Sequence, residues 1–380
     1  MAEEILIESI EENKLATELQ KRSDAEALRM QRFLAMPDLS RTEGNPIREL
    51  AHRIIELPDF AGFRVVRVPE IVPAKESFDL FNFPPDHPAR SRSDTYYIND
   101  QYILRTHTTI MWYYYLLREE VKQKIARGES IGVLSYGKVY RKDEIDRRHM
   151  NVFHQMDGLY ICRKEEKEIG LNELQNILVA IAQAIYGKDI VYRFNKDTFP
   201  YTDPSLEMEI ELDGKWVEVL GSGVVQANVL DNLGVDSKIY NGWAFGFGLE
   251  RLAILSMNLP DIRLLWSTDE RVKRQLQLGQ VYKEVSKYPP ITRDISFVVS
   301  SSFIPNNYFD LIRDIGGDLV EEVSLLDKYD NAEKFGADKI SYTYRIVYRS
   351  NERTLTIEEI EPLQERVVEE TKKQFGAEVR

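Results

Sequence analysis

The stretch GWAFGFGLERLAILSM, residues 242–257, decides the fold. Trp243, Phe245 and Phe247 alternate with Ala244, Gly246 and Gly248, which is the period of a strand. From Leu249 onward the apolar residues shift to the three-and-four spacing of an amphipathic helix. A glycine-rich strand running into a helix suggests dinucleotide binding, but the GxGxxG spacing is missing and no βαβ alternation surrounds it. Upstream, LEMEIEL (206–212) and KWVEVLG (215–221) alternate in strand fashion around Asp213-Gly214, a hairpin signal. Hairpins join antiparallel strands. The expected class is therefore α+β, with a mainly antiparallel sheet flanked by helices.

Working outward, residues 1–40 read as helix, with no internal glycine. Asn45 and Pro46 are the N-cap and first residue of a second helix. FRVVRVPEIV is a short strand broken by Pro69, the proline-rich 81–100 segment is a loop, and TTIMWYYYLLREEVKQKIARG is a helix ending at Gly128. A boundary falls at Lys287-Tyr288-Pro289-Pro290. Beyond it the pattern is strand 291–299, helix 306–315, strands 319–327 and 339–348, helix 357–374 and a short end strand, the βαββαβ plan of a ferredoxin-like domain. Three parts are expected: a helical extension at 1–44, a core at 45–285 and the ferredoxin-like domain at 288–380.

Hydrophobic residues make up 43% and charged residues 30%, a balance that supports packed cores rather than disorder. The net charge of −13 argues against nucleic-acid binding through the whole surface, so any such partner needs a local site. Cys162 is the only cysteine, which excludes an intrachain disulfide and a cysteine-based zinc cluster. No run approaches the roughly 20 apolar residues of a membrane span. The acidic start, MAEEILIESIEENK, resembles neither a secretory signal nor a transit peptide, so the expected setting is cytoplasmic, without excluding a mature form in an organellar matrix.

Arg105 precedes THTT, Arg141 ends the strand-like GKVYR, and Arg251 opens the helix after the glycine-rich strand. Arginines at such places suit two-pronged contact with phosphate or carboxylate. The plainer reading of each alone is a surface ion pair. Together with Asp143, Glu144, Glu207 and Glu218 they suggest a nucleotide and magnesium site, since magnesium prefers oxygen ligands and phosphate bridges. Glu218 alternates within a strand and reads equally as an ordinary outward residue. Trp243 and Phe245 point to one face, beside glycines that admit a close approach, as in a pocket for a flat apolar side chain. The plainer reading of these aromatics is core.

Five ordered segments then resemble one family. GKVYRKDEIDRRHMNVFHQMDG (137–158), KWVEVLGSGVVQANVL (215–230) and GWAFGFGLERLAIL (242–255) are similar to the catalytic core of phenylalanine–tRNA ligases, which are class II aminoacyl-tRNA synthetases. FNFPPDHPAR…DTYYI…LRTHTT resembles the family's NFPxxHPAR…DTF…LRTHTS, and TFPYTDPSLEMEI resembles its FPFTEPSAEVDV. The tail, YPPITRDISFVV…YTYRIVYRSNERTLTIEEI, resembles the family's ferredoxin-like anticodon-binding domain. A core followed directly by that domain is similar to the single-chain, organellar layout.

The resemblance implies ATP-dependent attachment of phenylalanine to its tRNA through phenylalanyl-adenylate, with magnesium, by a monomer or homodimer away from any membrane. It implies Arg141 and Arg251 as the catalytic arginines, at the α-phosphate and the γ-phosphate. Asp143, His149, Phe153 and Glu218 would complete the ATP site, Phe153 stacking on adenine. Glu207 and Glu218 would hold Mg2+. Gln155 and Asp157 would meet the ammonium, His107 and Thr109 would lie near the carboxylate or amine, and Trp243 and Phe245 would clasp the ring. Four positions depart from the family's pattern: Asp157 replaces Glu, Gln226-Ala227 replace His-Pro, Trp243 replaces the first Phe and Thr109 replaces Ser. Two competing readings are a ligase of this lineage that charges another amino acid, such as tyrosine, and a non-catalytic tRNA-binding paralogue.

From Tyr288 to Arg380 there are 12 Lys and Arg against 18 Asp and Glu, an acidic balance for a tRNA-binding module. Arg293, Arg345, Arg349 and Arg353 are the candidates for a basic tRNA-binding face. Tyr342, Tyr344 and Tyr348 share one sheet face, for stacking on bases or for the core.

Overall fold

A computed structural model of the chain describes residues 4–144, 146–212, 214–284, 288–330, 335–336 and 338–380. It forms two compact units. The first holds Met1–Tyr140, Val152–Asn258 and Leu276–Val281; the second holds Arg141–Asn151, Leu259–Gln275 and Tyr282–Arg380.

The first unit is built on an eight-stranded sheet. Its strands are β1 (Glu4–Leu6), β2 (Arg64–Arg67), β5 (Ile131–Tyr140), β6 (Val152–Arg163), β10 (Tyr240–Gly248), β9 (Lys215–Val225), β8 (Thr202–Leu212) and β7 (Tyr192–Phe199), in that spatial order. Only the β1–β2 and β2–β5 pairs are parallel, so the sheet is mainly antiparallel as expected. A two-stranded ribbon, β3 (Ile71–Pro73) with β4 (Tyr102–Leu104), stands apart from it. The β8–β9 hairpin closes at Leu212 and Lys215; Asp213 lies outside the described residues, and Gly214 takes the left-handed backbone (φ +73°) that favours glycine.

Two sequence expectations change here. Residues 1–40 are not one helix. Glu4–Leu6 pairs with β2 as an edge strand, and helices Ile10–Gln20 and Ala25–Ala35 follow, the second capped by the Asp24 side chain. The segment Met111–Ala126 is two helices, Met111–Leu116 and Glu119–Ala126, with a break at Leu117-Arg118. Arg105 is structural: it is 2% exposed and donates to the carbonyls of Lys138 (2.7 Å), Val68 (2.8 Å) and Pro69 (3.3 Å). Those bonds satisfy buried acceptors and leave the guanidinium committed to the backbone.

The second unit follows the expected βαββαβ order. Its strands β11 (Ile291–Ser300), β12 (Val320–Asp330), β13 (Lys339–Tyr348) and β14 (Glu378–Val379) lie in the order β12-β13-β11-β14, all antiparallel. Helices Pro305–Gly316 and Ile357–Phe375 pack on one face through Tyr308, Ile312, Ile360 and Val367. Tyr342, Tyr344 and Tyr348 point into that same core and are at most 5% exposed, so they are not a platform for bases.

Candidate active site

The site grows from the alternation of β6 and β10. Asp157 opposes Gly246, and Gln155 opposes Gly248. A side chain at Gly246 would meet Asp157 Oδ1 at 2.7 Å, so the glycine is what leaves room for the carboxylate. Asp157 is 3% exposed and accepts the hydroxyls of Thr108 and Thr109, the latter at 2.6 Å. These hydrogen bonds to a charged acceptor offset the cost of burying it. Gln155 Oε1 is buried without a hydrogen-bond partner, as are Ser135 Oγ, on the strand position opposite Asp157, and Trp112 Nε1. Unpaired buried polar atoms are uncommon, and two of these, on Gln155 and Ser135, share the face of Asp157, which marks a place built for a polar ligand.

An aromatic wall stands on the same side. Tyr201 lies within 6.2 Å, ring centre to ring centre, of Phe81, Phe83, Trp112 and Phe199, and His107 stacks on Phe83 at 5.9 Å. Phe199 also fills the space above Gly221, where a side chain would meet its ring at 2.9 Å. These rings lie in TFPYTDPS, where no site residue is expected from the sequence. The signal available was two aromatics two apart, entering a strand.

Trp243 and Phe245 are not part of this wall. Trp243 opposes Tyr160 and Phe245 opposes Gly158, so both leave the sheet on the face opposite Asp157. Trp243 (4% exposed) packs on Tyr160 and Phe63, which also stack on each other, and Phe245 (2%) packs on Phe60 and Phe247. The expectation that they clasp a ring beside Asp157 is corrected: they are core. Gln226 Oε1 accepts from the Asn82 amide at 3.1 Å while its own NH2 donates to the Thr202 carbonyl at 3.4 Å, and Asn228 donates to Asn82 at 3.0 Å.

Charged residues gather at the β8–β9–β10 end. Glu207 opposes Gly221, which in turn opposes Gly246, so Glu207 shares the Asp157 face. The β8–β9 register slips after Met208↔Leu220, and Glu209 then opposes Glu218. That bulge turns Glu218 to the face of Glu207 and Glu209, where strict alternation from Leu220 would have turned it away. Arg251, in the first turn of the Leu249–Met257 helix, ion-pairs with Glu218 at 3.5 Å and donates to its carbonyl at 3.4 Å. Both side chains are about half exposed, open to a ligand. Phe153 occupies the Asp157 face two residues before Gln155 and is partly buried. Glu207 accepts from Asn195 at 3.2 Å. No group of three or more metal-ligating side chains occurs among the described residues. Two hard carboxylates on one face nevertheless suit magnesium, which takes one or two carboxylates and completes its shell with phosphate and water.

Arg141, Asp143 and His149 sit on the loop that leaves β5 and returns as β6, within the second unit. Asp146 accepts from His149 Nδ1 at 2.9 Å and from the amides of Arg148 and His149; burial would raise its pKa, but these bonds hold it below the ordinary value. The loop is tied to the Pro305–Gly316 helix: Arg313 donates to the carbonyls of Glu144 (2.9 Å) and His149 (3.3 Å), and Asn151 donates to Asp310 (2.9 Å).

The four arginines proposed for a basic face each carry a carboxylate partner: Arg293 with Glu361, Arg345 with Asp294, Arg349 with Glu321 and Arg353 with Glu359. Arg349 also shares a 6% exposed Glu321 with Arg147. The four are ion-paired within the domain and do not stand as bare positive charge.

Residues 32–276 match the family described as tRNA synthetases class II core domain (F), and residues 286–380 match the ferredoxin-fold anticodon binding domain. The chain is 40% identical over 321 residues to a phenylalanine–tRNA ligase, chloroplastic/mitochondrial, of Arabidopsis thaliana, covering 82% of this chain and 71% of the relative. It is 34% identical to the mitochondrial phenylalanine–tRNA ligase of Mus musculus, covering 83% and 74%. It is 35% identical to a phenylalanine–tRNA ligase alpha subunit of Nostoc punctiforme, covering 72% and 79%. The cytoplasmic expectation is overturned by these likenesses, because the plant and mouse relatives carry organellar names. The misreading came from taking an acidic start as a statement about compartment. Among the described residues no helix is long and apolar enough to cross a membrane.

Proposed function

The chain belongs to the phenylalanine–tRNA ligases of the class II aminoacyl-tRNA synthetases, and from that premise we propose that it attaches phenylalanine to its tRNA in two steps at the Asp157 face of the sheet. In the first, a carboxylate oxygen of phenylalanine attacks the α-phosphorus of ATP. The bond to the bridging oxygen breaks, pyrophosphate leaves, and phenylalanyl-adenylate forms. In the second, a ribose hydroxyl at the tRNA 3′ end attacks the acyl carbon, AMP leaves, and the hydroxyl proton is released.

The observation that carries this reading is the pairing of a buried carboxylate, Asp157, with an aromatic wall on one face. An ammonium and a phenyl ring on one small molecule need those two surfaces together. Asp157 and Gln155 receive the ammonium, with His107 and Thr109 beside it. Tyr201, Phe199 and Phe83 receive the ring. Asp157 is a methylene shorter than the family's Glu, and its bonds to Thr108 and Thr109 keep that shorter carboxylate fixed. Phe153 stacks on adenine. Arg141 meets the α-phosphate and stabilises the charge that grows there, while Arg251 holds the far end of the triphosphate. Asp143 and His149 lie along the triphosphate on the same loop as Arg141.

Glu207 and Glu218 hold Mg2+, which when bound screens the phosphate charges and polarises the bond to pyrophosphate. The protein's own part is alignment: little acid–base work is needed once carboxylate and phosphorus are held in line. An organellar setting fits the relatives. The test is amino-acid-dependent exchange of pyrophosphate into ATP with each of the twenty amino acids in turn. Phenylalanine is expected to give the fastest exchange. Exchange driven faster by tyrosine, or by none of the twenty, overturns the reading.

A further inference from the structure

On the face of β6 away from the substrate lies a buried chain of charged groups. His154, fully buried, sits between Phe153 and Gln155 in sequence but points the opposite way. Its Nδ1 is 2.6 Å from Glu250 Oε1, and its backbone N–H donates to both Glu250 oxygens, at 2.9 and 2.8 Å. Glu250 is 3% exposed and directly precedes Arg251. On the other side of the ring, Nε2 accepts the amide of Leu39 at 2.9 Å and faces Asp38 Oδ1 at 3.3 Å. Asp38 in turn binds Arg41 at 2.7 Å, and Arg41 binds Glu4 of β1 and the Tyr136 carbonyl of β5. Lys138 opposes His154 across the β5–β6 ladder and spends its ammonium on the carbonyls of Leu34 and Met36.

Burial disfavours a charged His154, whereas Glu250 and Asp38 on its two sides favour one. The Leu39 amide points the other way, because only a lone pair on Nε2 accepts that bond. The contact to Leu39 is shorter than that to Asp38, which decides for a neutral ring with its proton on Nδ1, facing Glu250.

We infer that His154 is a positioning residue for ATP: by holding Glu250, it sets the first turn of the Leu249–Met257 helix and so the place of Arg251, with Asp38 and Leu39 of the N-terminal segment bracing the ring from behind. This rests on the reading of Arg251 as a triphosphate ligand. Gln155 and Asp157 owe their places to the β5 and β10 ladders, which do not involve the ring. Arg251 has no such ladder. Its ion pair with Glu218 is long and exposed, so the register of the helix start falls to Glu250. The same bonds give residues 38–41 a role in adenylate formation.

The test is pyrophosphate exchange with the full chain carrying His154→Asn, which keeps a donor near Nδ1 and removes Nε2, or Glu250→Gln. KM for ATP and KM for phenylalanine are measured separately, with the melting temperature as control. Misplacing a group far from the chemistry costs on the order of tenfold to a hundredfold. That loss is expected in KM for ATP and kcat, with KM for phenylalanine within about twofold of wild type, the loss from Glu250→Gln being the smaller of the two. A KM for ATP that stays at the wild-type value in both variants overturns the inference. So does a rise in KM shared equally by both substrates, which signals a general distortion of the site, or a fall in kcat alone, which signals a smaller folded fraction. Where His154→Asn does not fold, Glu250→Gln decides alone. Wild-type protein without phenylalanine-dependent exchange sinks the ligase reading instead, so the two failures are distinguishable.

Discussion

The two faces of β6 and β10 do different work with alternating residues of the same two strands. One face carries Gln155, Asp157, Ala244, Gly246 and Gly248: polar groups beside positions too small to fill the space above them. The other carries His154, Tyr160, Trp243 and Phe245, which fill theirs completely. One face recognises and the other holds it in register. Motif segments are dense with unusual residues for both reasons, and adjacency within a motif does not mean adjacency at a ligand.

The sharpest break between ligand-facing groups and core lies at Arg251. Arg251→Ala removes an exposed side chain whose protein contacts are two long ones to Glu218, so the melting temperature should stay within a degree or two. Exchange should fall by about 10²- to 10³-fold, as when a transition-state donor is lost. Arg141→Lys should fail to a similar degree, since an ammonium cannot form the two-pronged contact of a guanidinium. Near-normal exchange in either variant would place the ATP site elsewhere.

The faces themselves separate in a paired comparison. Trp243→Ala empties a buried site and should cost about 3–5 kcal/mol of stability, while the surviving folded protein keeps its KM for phenylalanine. Tyr201→Ala should do the reverse, raising that KM by about tenfold with a smaller loss of stability. Melting curves and exchange kinetics on both variants read the crossing. Should Trp243→Ala raise KM and Tyr201→Ala leave it alone, the two faces have been assigned the wrong way round.

This is where the sequence stopped being legible. Alternation told which residues share a face, and the hairpin signals told that the sheet is antiparallel. Neither labels a face as the one that meets ligand. That label depends on which strands pair, and on a bulge beside Val219 that re-aims Glu218. The missed β1 has the same cause: its three residues pair with β2, far along the chain, and Glu4 is ion-paired to Arg41. The βαββαβ tail was readable almost to the residue, because each of its elements carries its own local signal. Its arginines were readable only as charges; their carboxylate partners are brought by folding.

A pH series probes the holding face. Burial would raise the Asp38 carboxyl, but the Arg41 guanidinium and the Ser40 hydroxyl hold it well below the usual carboxylate range. A depressed carboxylate adds stability above its unfolded pKa of about 3.9 and loses it as pH falls further. Asp38→Asn breaks this buried pairing, which should cost on the order of 3 kcal/mol near neutrality. The gap between variant and wild type should hold from pH 7 to about 5 and narrow below about 4. Melting temperatures across that range check it; a gap of the same size at every pH would mean that the Asp38 charge contributes nothing.

The smallest effect expected concerns the ligand-facing side alone: phenylalanine against tyrosine. The wall of Phe83, Phe199 and Tyr201 offers ring faces to a bound ring. The nearby amides of Gln226 and Asn228 are occupied with Asn82 and the Thr202 carbonyl, so they do not stand ready to receive a phenol. A phenol that loses its water there is penalised by about 1–3 kcal/mol. Apolar pockets do not reject an added hydroxyl strongly, and about 100-fold is the usual ceiling. Phenylalanine should therefore win a competition at equal concentrations by roughly 10- to 100-fold, with tyrosyl-adenylate still measurable. Asn82→Ala sharpens the test. It frees the Gln226 oxygen and the Asn228 amide, so if these are what the pocket withholds from a phenol, discrimination against tyrosine should weaken in that variant. Unchanged selectivity would show that apolar desolvation alone sets the preference, and a wild-type product that is mostly tyrosyl-adenylate would refute the phenylalanine assignment.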